Sequence, residues 1–138
     1  ILELSRDEKN SKIKAFENPL TQSQLNKARA AVREVRMSEQ VEEYLVQIIL
    51  ATRNSDKYGG NLSDWLEFGA SPRATIALDI CSKSLAWLDN RNFVTPDDIR
   101  SIAHDVLRHR LILSFEAEAN GISSDQVVDE LLKVVPSA

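Results

Sequence analysis

Arg73 holds the position from which chemistry is most readily argued. It follows Gly69-Ala70-Ser71-Pro72, where a serine at N-cap and a proline at the first helical position predict a helix start. A cation at the second position faces the positive end of the helix dipole, which typically costs about 0.3–1 kcal/mol. The other proline-started segment, Thr95-Pro96-Asp97-Asp98, places an aspartate there instead. Local stability therefore does not account for Arg73. An anion in front of the helix would, because the guanidinium and the free N–H groups would converge on it. The alternative is a solvated or salt-bridged surface arginine, since charges at helix ends are often worth little.

The remaining candidates have simpler explanations. His104 and His109 are five residues apart, so on a helix they point in different directions and lack the i, i+4 spacing of a metal-binding pair. Cys81 falls inside a strongly apolar helix with no histidine adjacent in sequence, which predicts a core thiol rather than a nucleophile. Glu116 and Glu118 form a charged turn and carry no mark of a catalytic pair. Trp65 and Trp87 are expected to be core anchors rather than a platform for a nucleobase. Arg108-His109-Arg110 could meet a phosphate backbone, but their place at the end of a helix already explains their charge.

The elements that must position these residues follow from caps and periodicity. Residues 1–18 are charged and loosely patterned, with one helical turn expected around Ile1–Leu4. Thr21 and Gln24 have the spacing of a capping box, and Leu25, Ala28, Val32 and Val35 then predict a helix over about 21–35. Ser38 caps a second helix with Val41, Leu45, Ile48, Ile49 and Thr52 on one face, and Met37 is expected to pack under the turn between the two. Asn54–Leu62 is a polar loop containing a Gly-Gly break. The helix begun by Ser71-Pro72 runs through Ala74, Leu78 and Leu85 to Leu88; Thr75, Asp79, Ser82 and Lys83 form a narrow polar stripe on an otherwise largely apolar surface, so it is expected to be central. Thr95 caps a helix with Ile99, Ile102, Ala103, Val106 and Leu107 on its apolar face. Ser123 and Gln126 cap the last, which presents Val127, Val128, Leu131, Leu132 and Val135 and is ended by Pro136. Trp65–Phe68 and Leu111–Phe115 could pair as a two-stranded ribbon. The expected fold class is all-α, a bundle of five main helices.

Composition excludes much. The chain has 138 residues, net charge −4, four glycines, two histidines and one cysteine. Its length suits one compact domain. Gly59, Gly60, Gly69 and Gly121 cannot supply GxxxxGK or GxGxxG, so no self-contained phosphate-cradling loop exists. The net charge and the absence of a basic stripe weigh against nucleic acid as a partner. No apolar run approaches the roughly 18 residues of a membrane span, and no signal peptide is evident, so no membrane insertion is expected. The lone Cys81 fits a reducing, cytoplasmic setting. The chain starts at Ile1 without an initiator methionine, which suggests a piece of a longer protein.

Read together, Gly69-Ala70-Ser71-Pro72-Arg73-Ala74, then Phe93-Val94-Thr95-Pro96-Asp97-Asp98-Ile99, then Val106-Leu107-Arg108-His109-Arg110-Leu111 closely resemble the C-terminal lid of MoxR-type AAA+ ATPases. Ala51-Thr52-Arg53 and Glu116-Ala117-Glu118-Ala119 are similar to that family too, and the resemblance extends over about residues 20–136. It implies a helical lid in which Arg73 is the sensor-2 arginine, contacting the ATP γ-phosphate. Gly69, Ala70, Ser71 and Pro72 would form the approach, packed close to nucleotide. It further implies domain bounds of 1–19 for a hinge segment from an AAA+ core and 20–138 for the lid.

The departures from the family are equally specific. Its Walker A, Walker B, sensor-1 and arginine-finger motifs belong to an AAA+ core, and none occurs in these residues. ATP and Mg²⁺ are thus implied for a full-length protein, while this piece alone should neither hydrolyse ATP nor bind it tightly. The resemblance also implies the AAA+ core of the same chain and neighbouring subunits of a ring, a hexamer, as partners. A chaperone-like remodelling role in a bacterial cytoplasm, alongside von Willebrand factor A-domain proteins, is implied as well. A competing reading is a stand-alone helical interaction module, because Phe93–Leu111 is similar to the helices of histone folds. A small independent hydrolase has almost nothing in its favour.

Overall fold

The computed structural model describes residues 18–137. Along the chain these form α1 (Gln22–Arg33), α2 (Glu39–Arg53), a 3₁₀ turn (Ser55–Lys57), α3 (Leu62–Trp65) and β1 (Leu66–Phe68). Beyond β1 lie α4 (Arg73–Leu88), α5 (Pro96–Leu107), β2 (Ile112–Leu113), α6 (Phe115–Ala119) and α7 (Ser124–Val134). The expected mostly-α bundle is therefore present, with five long helices, two short ones and a two-stranded antiparallel sheet among the described residues. The chain divides into two compact units after Ala30, inside α1. The helical turn expected around Ile1–Leu4 lies outside the described residues.

Local signals set most of the helix starts. At α1, Thr21 Oγ1 accepts from the Gln24 amide at 3.2 Å and Gln24 Oε1 accepts from the Thr21 amide at 2.8 Å, completing the capping box. The helix stops at Arg33 rather than 35, and Val35 packs in the core beyond it. Ser38 caps α2 by accepting from Val41 N–H. Ser123 and Gln126 exchange both bonds of a second box at α7. Each box satisfies backbone donors that the first turn would otherwise leave unpaired.

The larger unit is built on α2, α4, α5 and α7. The predicted face of α2 (Val41, Leu45, Ile48, Ile49 and Thr52) is buried, and so are the predicted apolar residues of α7. On α5, Ile99, Ala103, Val106 and Leu107 are buried and Ile102 is partly so. Met37 and Trp65 pack against this core. Leu62, expected to end a polar loop, instead begins α3 and is fully buried. The ribbon forms with Leu66 opposite Leu113 and Phe68 opposite Ile112. Glu116 and Glu118, expected in a charged turn, lie in the short helix α6, which takes in Phe115 from the expected ribbon and is capped by Ser114 Oγ, accepting from Ala117 N–H.

Helix α4 departs from expectation in orientation. Its buried residues are Ala74, Leu78, Ser82 and Ala86, a stripe with four-residue spacing. Helix α4 packs against both α2 and α5, and small side chains on that stripe permit close approach. Ser82 is fully buried, its hydroxyl donating to the Asp79 carbonyl. Cys81 is exposed, which overturns the core-thiol expectation. Ile76 and Ile80 are more than half exposed and Trp87 is 36% exposed, so Trp87 is no core anchor. The apolar surface of α4 is therefore divided, part of it turned to the core and part to the outside. Asn90, in the left-handed region at φ 58°, closes the helix. There Arg91 N–H reaches the Ala86 carbonyl and Asn90 N–H the Trp87 carbonyl, which satisfies acceptors at the helix end.

The turn into α5 is held by a polar knot. Thr95 Oγ1 accepts from Asp98 N–H, while Asp98 Oδ2 accepts from Thr95 N–H at 2.8 Å. Arg91 adds two bonds to the same carboxylate, at 2.8 and 2.6 Å. Burial pushes the Asp98 carboxyl up, but the bonds from Arg91 and Thr95 and the guanidinium charge outweigh it and hold it below the usual carboxylate range. Two backbone bonds, Arg36 N–H to the Asn92 carbonyl and Val94 N–H to the Arg36 carbonyl, tie this turn to the α1–α2 connection.

Candidate functional site

Arg73 is the first residue of α4 and is exposed. The helix opens with Ala74 N–H bonding to the Ser71 carbonyl at 2.8 Å and Thr75 N–H to the Pro72 carbonyl at 3.1 Å. Pro72 already has helical dihedrals, so proline does start the helix, as its fixed φ favours. Ser71 contributes its carbonyl and makes no side-chain cap bond, a correction to its expected role as an N-cap. Its hydroxyl and the first-turn amides are consequently not committed to one another.

Among the described residues, Arg73 makes neither an ion pair nor a side-chain hydrogen bond. Lys83, Arg91, Arg108 and Lys133 each pair with a carboxylate. No acidic residue lies in the first turn of α4, whereas α5 has Asp97 and Asp98 there. The salt-bridged reading of Arg73 thus finds no described partner. Ile76 and Ile80, at i+3 and i+7, extend an exposed apolar stripe from Arg73 along the helix.

The approach to Arg73 is built against the end of α2. Thr52, 2% exposed, donates its hydroxyl to the Ile49 carbonyl at 2.7 Å and accepts from Ala70 N–H at 3.0 Å. At Gly69 the backbone passes so near α2 that an added Cβ would lie 2.1 Å from the Thr52 carbonyl oxygen. Glycine is required there by that close approach. Ala70 is fully buried, and Arg53 Nη1 donates to its carbonyl at 3.4 Å. A hollow of about 230 Å³ lined by Arg53, Glu67, Phe68 and Gly69 opens beside this approach. A larger hollow of about 710 Å³, lined by Trp87, Leu88 and Asn90–Asn92, lies at the other end of α4, about 20 Å of helix away.

Thus Gly69, Ala70, Ser71, Pro72 and Arg73 form one continuous entry into α4. Thr52 and Arg53, noted in sequence only as a family-like tripeptide and a helix face, prove to touch it. The usable signal was a threonine on a core face at a helix end. The two histidines are separate from this region: His104 Nε2 lies 3.0 Å from Asp129 and His109 lies beside Arg110. Among the described residues no three His, Cys, Asp or Glu side chains are grouped to hold a metal ion. Likewise, no helix among them is long and apolar enough to cross a membrane.

The described residues thus form a helical module in which a short ribbon leads into a helix opened by an exposed arginine. The AAA lid domain family matches residues 63–131, half of the chain. Chaperone MoxR1 of Mycobacterium tuberculosis is 39% identical over 94 residues, which are 67% of this chain and 25% of that protein. The uncharacterized protein YeaC of Bacillus subtilis is 32% identical over 132 residues, 96% of this chain and 39% of YeaC. In structure, a candidate ATPase from Cytophaga hutchinsonii superposes with a TM-score of 0.83 at 32% identity, covering 99% of this chain and 42% of that one. The chain therefore belongs to the AAA lid domain family, as the lid of a MoxR-type AAA+ ATPase. It spans between 25% and 42% of the length of these relatives.

Proposed function

We propose that Arg73 is the sensor-2 arginine of this lid, contacting the γ-phosphate of ATP held by an AAA+ core. The single observation carrying this is an exposed arginine at the entry of a sixteen-residue helix with no partner among the described residues. Its charge opposes the helix dipole there, and a phosphate would reverse the sign of that interaction. On hydrolysis the guanidinium loses the terminal phosphate, so the lid's angle to the core can follow nucleotide state. Arg73 can also stabilise charge in the transition state, as electrostatic clamps do. Gly69, Ala70, Ser71 and Pro72 carry the backbone into this contact, and the exposed stripe of Ile76 and Ile80 offers apolar surface to the core.

The rest of the machinery lies outside the described residues in this reading. Mg²⁺ accompanies ATP and would take its ligands from the core, since these residues provide no grouping for it. Residues 20–138 form the lid and 1–19 the segment leading from the core. Alone, the chain is inactive. In the full-length protein, subunits assemble as a ring, a hexamer, and remodel client proteins in the cytoplasm with von Willebrand factor A-domain proteins as partners. The chaperone role is supported by the name of the M. tuberculosis relative.

The test is steady-state ATP hydrolysis by the full-length protein carrying Arg73→Ala. Losing one charge-assisted contact to the transition state should lower turnover by about 10²–10³-fold, with thermal melting barely changed because the side chain is exposed and makes no hydrogen bond or ion pair among the described residues. Unaltered turnover removes Arg73 from the site.

A further inference from the structure

We propose that Thr52 and Gly69 are positioning residues for Arg73, locking the end of α2 to the entry of α4 so that the guanidinium starts from a fixed point. The inference rests on Arg73 acting on nucleotide. An exposed arginine without a described partner has nothing to orient its side chain, so its placement depends on its backbone. That backbone is fixed three residues upstream, at Ala70. One hydroxyl, on Thr52, is both donor to Ile49 and acceptor from Ala70, spanning eighteen residues of sequence. Both functions of a single side chain are used, and both bonds are buried. Gly69 lets the two backbones meet, its missing Cβ being replaced by the Thr52 carbonyl. Arg53 holds the next peptide, donating to the Ala70 carbonyl.

A merely structural role would satisfy the Ala70 amide and nothing more. Removing the hydroxyl while preserving its volume breaks its bonds, and comparison with the Arg73→Ala background separates the two roles. Thr52→Val leaves the buried Ala70 N–H facing a methyl group, whereas the Ile49 carbonyl keeps its helical bond, and the entry to α4 must shift for Ala70 to regain a partner. A displacement near 1 Å at a reacting contact can cost on the order of a hundredfold in rate. Thr52→Ser keeps the hydroxyl and should keep the geometry.

The experiment is a double-mutant cycle in the full-length ATPase, measuring kcat, KM for ATP and melting temperature for Thr52→Val, Thr52→Ser, Arg73→Ala and Thr52→Val with Arg73→Ala. We expect Thr52→Val to lower kcat by roughly ten- to a hundredfold and Thr52→Ser to restore it to within about twofold. Adding Thr52→Val to Arg73→Ala should cost less than about twofold more, because residues acting as a unit are non-additive. Full turnover by a folded Thr52→Val, or an undiminished further loss in the Arg73→Ala background, overturns the positioning role while leaving Arg73 in place. Full turnover by Arg73→Ala overturns the reading beneath it. Should Thr52→Val not fold, Arg53→Gln at the exposed side of the joint decides: a loss of a fewfold that vanishes in the Arg73→Ala background supports the proposal, and wild-type turnover refutes it.

Discussion

Removing the Asp98 carboxylate should destabilise this domain strongly for so few atoms deleted. Its side chain is 6% exposed and accepts from both Arg91 guanidinium nitrogens, from Thr95 N–H and from Thr95 Oγ1. Asp98→Ala breaks the capping box, about 1 kcal/mol, and leaves Arg91 with only the more exposed Asp89, at 3.1 Å, as a counter-charge. Removing one partner of a fully buried pair costs about 3–5 kcal/mol, but the Arg91 side chain is 28% exposed and can rehydrate. Together these give a loss of about 2–4 kcal/mol, or on the order of 10 °C in melting temperature for a domain of this size. Asp98→Asn, which keeps one acceptor but no charge, should lose about half as much. The carboxyl is held below its ordinary range in the folded state, so its stabilisation is complete above its unfolded pKa of about 3.9 and is lost as pH falls through the folded value. The gap between wild type and Asp98→Asn, followed by circular dichroism melts, should thus be constant from neutral pH down to about pH 5 and close at lower pH. A melting temperature for Asp98→Ala within about 2 °C of wild type, or a gap that widens on acidification, would refute the reasoning.

Two further outcomes test the orientation of α4. Ser82, fully buried on the small-residue stripe, has no room for a larger side chain, so Ser82→Leu should destabilise by about 1–3 kcal/mol in urea denaturation; a neutral result would place that face outside. Cys81 is exposed, so a thiol reagent should modify the native protein at a rate within about tenfold of the denatured chain, and protection until unfolding would restore the core assignment.

What could be read from sequence divides along the range of the interaction concerned. The boxes at Thr21 and Ser123 lie within four residues, so their signals are complete in a short window, and the same holds for the apolar faces of α2, α5 and α7. Helix α4 carries apolar residues around most of its surface and therefore has no preferred face of its own. Its rotation, with Ser82 inward and Cys81 outward, is chosen by neighbours that need small residues at the contact. The Arg91–Asp98 pair crosses a turn, and Asp98 was legible only as an acid suited to a helix start. At the candidate site the contrast is sharper. Arg73 stands out locally because its charge opposes the dipole, whereas the necessity of glycine at 69 depends on the Thr52 carbonyl, seventeen residues away in sequence. Ser71 looked like a cap because its residue type is right; with Pro72 already helical, the backbone carbonyl of Ser71 opens the turn instead.

In the proposed function, Arg73 reads the terminal phosphate. The most direct measurement is the affinity of the full-length protein for a non-hydrolysable ATP analogue relative to ADP, with and without Arg73→Ala. A charge-assisted contact to the γ-phosphate alone, at about 1.5–3 kcal/mol, gives a preference of about ten- to a hundredfold. Arg73→Ala is expected to abolish this preference by weakening the ATP analogue while leaving ADP within about twofold. Equal weakening of both nucleotides, or an undiminished preference for the analogue, would contradict it.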